Sequence, residues 1–144
     1  MPQTQTFANH AKLVPMFHYF VLPVLVINLV SSIVHGVRHF SVTSVIAALV
    51  AAALLVLAFY ARIFALTVQD RVIRLEMQLR LQNLLPADLR PRIPEFKVAQ
   101  LVALRFASDA ELPDLARKVL AENLQSRKNI KQLIRNWQPD NLRA

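Results

Sequence analysis

Two runs without a formal charge constrain this chain more than any other feature. LVPMFHYFVLPVLVINLVSSIVHGV fills the twenty-five positions between Lys12 and Arg38, and HFSVTSVIAALVAAALLVLAFYA the twenty-three between Arg38 and Arg62. About 20 mostly apolar residues suffice for a helix to cross the ~30 Å hydrocarbon core of a bilayer, so each run is long enough. Inside lipid the backbone must satisfy its own hydrogen bonds, which leaves helices and closed barrels, and neither run alternates as a barrel strand does. A cleaved signal peptide has an apolar stretch of only about 7–15 residues and a small-x-small cleavage site, neither of which fits the first run. Two buried helices of this length would need more protein around them than 144 residues provide. The expectation is a transmembrane hairpin over 13–61, with spans at about 15–37 and 42–61, preceded by an N-terminal arm, 1–12.

Charge is distributed as sharply as hydropathy. Fifteen of the seventeen Lys and Arg follow Tyr60, as do all nine Asp and Glu, so this part alone carries +6 of the net +8. Lys12 and the basic residues from Arg62 onward flank one side of the spans, against Arg38 alone in the short turn. The positive-inside rule therefore puts both termini in the cytoplasm, with Tyr19 and Tyr60 near that edge. A single Gly among abundant Leu, Ala and Val points to an all-α protein. With no Cys, disulfide, thiolate-metal and cysteine-nucleophile chemistry are excluded.

The spans carry contact signals. Asn28, Ser31, Ser32, His35 and His39 fall at helical spacing along one side of the first. In the second, Ser44, Ala48 and Ala52 are small residues four apart, with Ala47 and Ala51 beside them. Small residues let backbones approach, and polar side chains hydrogen-bond across such contacts. The expectation is that these stripes pack the two spans together, the alternatives being another subunit or a pore. Pro23 is expected to kink the first span, since it removes a backbone donor. His35 and His39 have metal-pair spacing, but no third ligand lies nearby, and an interfacial pair at a helix end frayed by Gly36 is the simpler reading.

FALTVQDRVIRLE, Phe64 to Glu76, introduces charge without Gly or Pro, so the second span is expected to continue as one helix from about Ser44 to Leu85, ~63 Å long at 1.5 Å per residue. Residues 62–85 form a cytoplasmic extension. Asp70 with Arg74, and Glu76 with Arg80, are placed for i,i+4 pairs. Two apolar rows, Leu66, Ile73, Met77, Leu81 and Leu84 beside Val68, Val72, Leu75 and Leu79, are too wide a stripe for a solvated helix.

Residues 86–144 are expected to form a small helical bundle. Pro86, Pro91 and Pro94 mark a stiff polar connector. Glu95–Ala107 is apolar on most sides and reads as a central helix. Ser108 and Glu111 have capping-box spacing, or else Pro113 opens the next helix. The last helix sets Arg127, Lys128, Lys131 and Arg135 opposite Ile130, Leu133, Ile134 and Trp137. Its basic face suits anionic lipid headgroups or an acidic partner. Nucleic acid ranks last among partners, because no recognised module or aromatic-basic interleaving is present.

NHAKLVPMFHYF, FALTVQDRVIRLE and QLVALRFASDAELPDLA together resemble a bacterial family of small two-span proteins classified only as a domain of unknown function. The resemblance implies a bacterial inner-membrane protein and supplies no activity, ligand or catalytic residue. The residues themselves offer no Ser-His-Asp spacing, phosphate-binding Gly loop, HExxH or metal cluster, and Asp70, Glu76 and Glu111 have simpler roles in helix pairs and caps. The expectation is a non-enzymatic membrane protein without cofactor. It acts as a scaffold or interaction subunit assembling with itself or a larger membrane complex; the alternative is a homo-oligomeric pore.

Overall fold

In a computed structural model of the chain, Phe7 and residues 13–140 are described; the expected N-terminal arm lies almost wholly outside them. Five α-helices follow in order: α1 (Leu22–Arg38), α2 (Val42–Leu84), α3 (Val98–Leu104), α4 (Leu112–Ala121) and α5 (Arg127–Gln132). A π-helical turn, Met16–Val21, leads into α1, and a 3-10 turn, Arg90–Glu95, precedes α3. Among the described residues the only strand-like pairing is an isolated bridge between Ala107 and Trp137. Two compact units divide at Leu66 and Thr67.

The first unit, Lys12–Leu66, holds α1 and the first part of α2. The helices from Met16 to Arg38 and from Val42 onward are long and apolar enough to cross a membrane. Pro23 does not interrupt α1. It follows directly on the π turn, where the change from π to α bonding accommodates a residue that has no N–H to donate. Gly36 lies inside α1 rather than fraying it, and a Cβ there would meet Ser44 at 3.7 Å, an ordinary contact. Ser41 and Ser44 close a reciprocal cap on α2: the Ser44 amide donates to Ser41 Oγ at 3.1 Å and the Ser41 amide to Ser44 Oγ at 3.0 Å. This satisfies two orphan donors where the chain turns. Val21 at the end of the π turn and Leu25, Leu29, Ser32 and Gly36 in α1 are half-buried; in α2, Ser44 and Ala51 are buried and Ala48, Ala52 and Ala58 half-buried. The small-residue spacing of α2 thus lies along its covered side.

The second unit, from Thr67, is built around α3. Every residue from Gln100 to Leu104 is buried, which matches a central helix covered on all sides, although the helix itself is only seven residues long. Around it pack Ile73, Met77 and Leu81 from the end of α2 and Leu85 just past it, Leu112, Leu115, Ala116 and Val119 from α4, and Ile130 from α5. The proline-rich connector is also part of this core. Leu89, Ile93 and Phe96 are buried, since a 3-10 turn accommodates Pro91 and Pro94 while aiming apolar side chains inward. On its exposed side Arg92 bonds Glu95, and this bond holds the Glu95 carboxyl below its ordinary value.

The ends of α4 are sharply defined. Pro113 stands in the first turn, and the backbone carbonyl of Ser108 accepts from Leu112, so the proline signal rather than the capping box opens the helix. At the other end Asn123 adopts a positive φ of 48°; Leu124 N–H reaches Val119 O at 3.0 Å and Asn123 N–H reaches Leu120 O at 3.4 Å. This is a Schellman closure with Asn in place of Gly. Gln100 then joins two elements: its Nε2 donates to Leu124 O at 2.9 Å and its Oε1 accepts from Lys97 N–H at 2.7 Å.

The last turns of α2 belong to this core, so a segment starting at Thr67 should fold without the apolar runs, whereas one starting at Pro86 loses Ile73, Met77, Leu81 and Leu85. Chemical denaturation followed by circular dichroism should show a cooperative transition for 67–144 and none for 86–144. Leu81→Ala within 67–144 should cost about 2–5 kcal/mol.

Candidate interaction site

The residues singled out in the sequence divide between the two units. In the first, Ser32, Ala48 and Ala52 line a shallow apolar groove of about 410 Å³ together with Gly36 and Ser44. Asn28, Ser31 and His35 instead are exposed, turned away from the covered side of α1. The helix turns 100° per residue, which carries Ser31 off the line through Leu29, Ser32 and Gly36. The polar stripe expected to seal the two helices together is therefore split, and most of it faces outward. His35 and His39 sit side by side, their ring centroids 5.1 Å apart.

In the second unit the expected basic face of the last helix is dismantled. α5 ends at Gln132, so Arg135 and Trp137 are not helical. Glu111 is the cause. Its two carboxylate oxygens accept the amides of Arg135 and Asn136, each at 2.9 Å, and draw the chain into an extended return. Ser108 N–H then donates to Asn136 O at 3.0 Å and Gln138 N–H to Phe106 O at 2.7 Å. Trp137 lands on Phe106, the rings stacked at 4.6 Å with 19° between planes. Lys131 Nζ lies 4.9 Å from the centroid of the same Phe106 ring, a cation–π contact. Arg127 pairs with Asp70 at 3.0 Å. Of the four basic residues, only Lys128 and Arg135 are exposed without a side-chain partner among the described residues. A groove of about 590 Å³ opens beside Arg135, lined also by Glu111, Asp114, Lys118, Gln132 and Asn136.

Neither expected i,i+4 pair on α2 forms. Asp70 is taken by Arg127, and Arg80 turns toward the core. Arg80 Nε donates to Asp109 at 2.8 Å, Nη1 to Arg105 O at 3.1 Å, and Nη2 to Ala107 O at 2.6 Å and Gln138 Oε1 at 2.8 Å. These carbonyls are acceptors left over at the end of α3, and a guanidinium with five donors suits several of them at once. A surface i,i+4 pair is worth only about 0.3–0.5 kcal/mol, so these partners win. Sequence reasoning missed Arg80 and Glu111 as clips because both also fit local helix roles. One signal pointed at Arg80: it is a charge placed between the apolar rows.

A family model of unknown function, DUF6526, matches residues 1–144. The chain belongs to that family. No curated protein and no solved structure matches it. Membership in DUF6526 agrees with the resemblance carried by the three sequence motifs and assigns no reaction.

Arg80 and Trp137 close the second unit, and both are open to mutation. Arg80→Met should cost about 2–3 kcal/mol, through charge-assisted bonds lost to one carboxylate and two carbonyls. Trp137→Ala should cost about 2–4 kcal/mol, below the full value for a large buried aromatic because the ring is only half-buried. Denaturant midpoints of segment 67–144 check both values. Lys128→Ala, which breaks none of these contacts, should shift the midpoint little.

Proposed function

We propose that the chain is a small, non-enzymatic membrane subunit that assembles with itself or with a larger membrane complex. α1 and the first part of α2 cross the bilayer as a hairpin, and the second unit lies on the cytoplasmic side with both termini. The observation that carries this reading is the outward display of large apolar side chains around both helices. Val24, Ile27, Val30 and Ile33 in α1 and Leu49, Leu54 and Leu57 in α2 are all exposed. Soluble monomers rarely expose contiguous apolar patches beyond a few hundred Å², and hydrocarbon is the solvent that removes the penalty. The bacterial inner membrane follows from the same family resemblance, and the orientation from the Lys and Arg asymmetry.

Outward-facing Asn28, Ser31 and His35 support assembly over isolated insertion. Polar groups in hydrocarbon are costly, and another subunit's helix offers them hydrogen bonds. A pore is the second reading, since the stripe is not sealed against α2. It spans only eight residues, however, or ~10 Å of a ~30 Å core, too little to line a continuous path. On the cytoplasmic side Lys128 and Arg135 are the residues offered to anionic headgroups, worth about 1 kcal/mol each near the surface.

Reporter fusions at the C-terminus and within the turn around Arg38–Ser44 should report opposite sides of the membrane, with the chain resistant to alkaline extraction. A periplasmic C-terminus, or a chain that washes off, would contradict the reading. For the lipid contact, segment 67–144 carrying Lys128→Glu and Arg135→Glu should stay folded and lose about tenfold in binding to anionic vesicles at low salt. Equal binding by that variant would remove headgroups as a partner.

A further inference from the structure

Opposite its core face, the second unit carries an apolar row on α2 that nothing within the described chain covers. Val68, Val72, Leu75 and Leu79 are 60%, 47%, 63% and 63% exposed. They follow one another at steps of four, three and four, the 3.5-residue period of a coiled-coil seam. The core face of the same helix behaves differently: Ile73, Met77 and Leu81, with Leu85 just past its end, step by four throughout. One helix thus presents two apolar faces, and only one of them is used inside the chain. Val72 and Leu79 take the a positions of the heptad and Val68 and Leu75 the d positions. Val72 at a beside Leu75 at d is the arrangement that favours two strands, while Leu79 at a and Val68 at d reverse it, so the number of strands rests on the flanking charges.

The flanks of the row carry complementary charge. Arg71 falls at g and Glu76 at e, and neither has an ion-pair or hydrogen-bond partner among the described residues. We propose that this face is the contact between two copies of the chain, packed as a parallel two-stranded coiled coil along Val68–Leu79. In a parallel pair each g residue meets the e residue five positions further on in the other strand. Arg71 of one copy therefore meets Glu76 of the second, and two-fold symmetry makes the pair twice. Antiparallel packing sets g against g and e against e, so Arg71 and Glu76 lose each other. The parallel sense also agrees with two copies inserted the same way in one bilayer, a step that rests on the membrane reading above. Two heptads of free peptide would not hold together. Here α2 is kept helical by the core on its other face, and a shared membrane raises the effective concentration of the two seams.

The chain contains no Cys, so a single introduced thiol reports the contact without background. Leu75→Cys and Arg74→Cys are both exposed positions whose replacement leaves the core intact. In the full-length chain, oxidised in its membrane, Leu75→Cys should give a disulfide-linked dimer and Arg74→Cys should not. Adding Arg71→Glu to Leu75→Cys should lower the dimer yield about fivefold, Glu76→Arg should do the same, and the two together should restore it. Equal linking at 74 and 75, no linking at 75, or a yield indifferent to the charge exchanges would overturn the proposal. A chain that stays in the membrane fraction unlinked contradicts the seam alone. A chain found in the soluble fraction contradicts the membrane reading instead.

Discussion

Everything in this protein hangs on one backbone constraint: a helix carries its own hydrogen bonds and so can pass between unlike surroundings without a break. α2 uses that property over forty-three residues. Its first half is apolar on nearly every side, with small residues along the covered face, and its second half gives one row of side chains to a core. A Gly, a Pro or an unsatisfied turn between Tyr60 and Asp70 would separate these halves. The chain has none there. Arg62 marks the place where the side chains change character while the backbone does not.

The second unit shows how a short chain completes a core with few elements. α3 is only seven residues long yet is buried from Gln100 to Leu104. It is surrounded by pieces from α2, the 3-10 turn, α4 and α5, so no one helix is long enough to dominate. Polar clips then fix what packing leaves open. Arg80 gathers loose carbonyls at the end of α3, Glu111 captures two amides of the return, and Gln100 ties α3 to the closure of α4. The carbonyls held by Arg80 and Gln100 are part-buried, whereas the amides held by Glu111 lie at the surface, where the clip fixes the course of the chain.

Long-range features of the fold were legible in the residues to different degrees. The extent of α2, the break at Pro86 and the buried run of α3 follow from hydropathy and from the positions of Gly and Pro, which act locally. Pro113 and Asn123 likewise announce the ends of α4. Less legible was anything decided by a partner distant in sequence. Asp70 and Arg80 had plausible partners one turn away, and tertiary contacts outbid them. The basic face of the last helix dissolved because Glu111, twenty-four residues earlier, takes the amide of Arg135. Asn28, Ser31 and His35 shared helical spacing with Ser32, but which side of that wide stripe is covered depends on the neighbouring helix, and spacing alone does not set it. Family membership adds the unity of the whole chain and no chemistry.

A change of surroundings along α2 is open to direct measurement. Single spin labels placed through the full-length chain in bilayers can report oxygen and a water-soluble relaxation agent residue by residue. From about Val45 to Leu57 oxygen should dominate on all exposed positions. Beyond Thr67 the water-soluble agent should take over at positions such as Arg74, with protection recurring at Ile73, Met77 and Leu81 on the core face and at Val72, Leu75 and Leu79 on the seam. Access of the water-soluble agent to exposed positions in the first stretch, matching that beyond Thr67, would contradict the account at its centre.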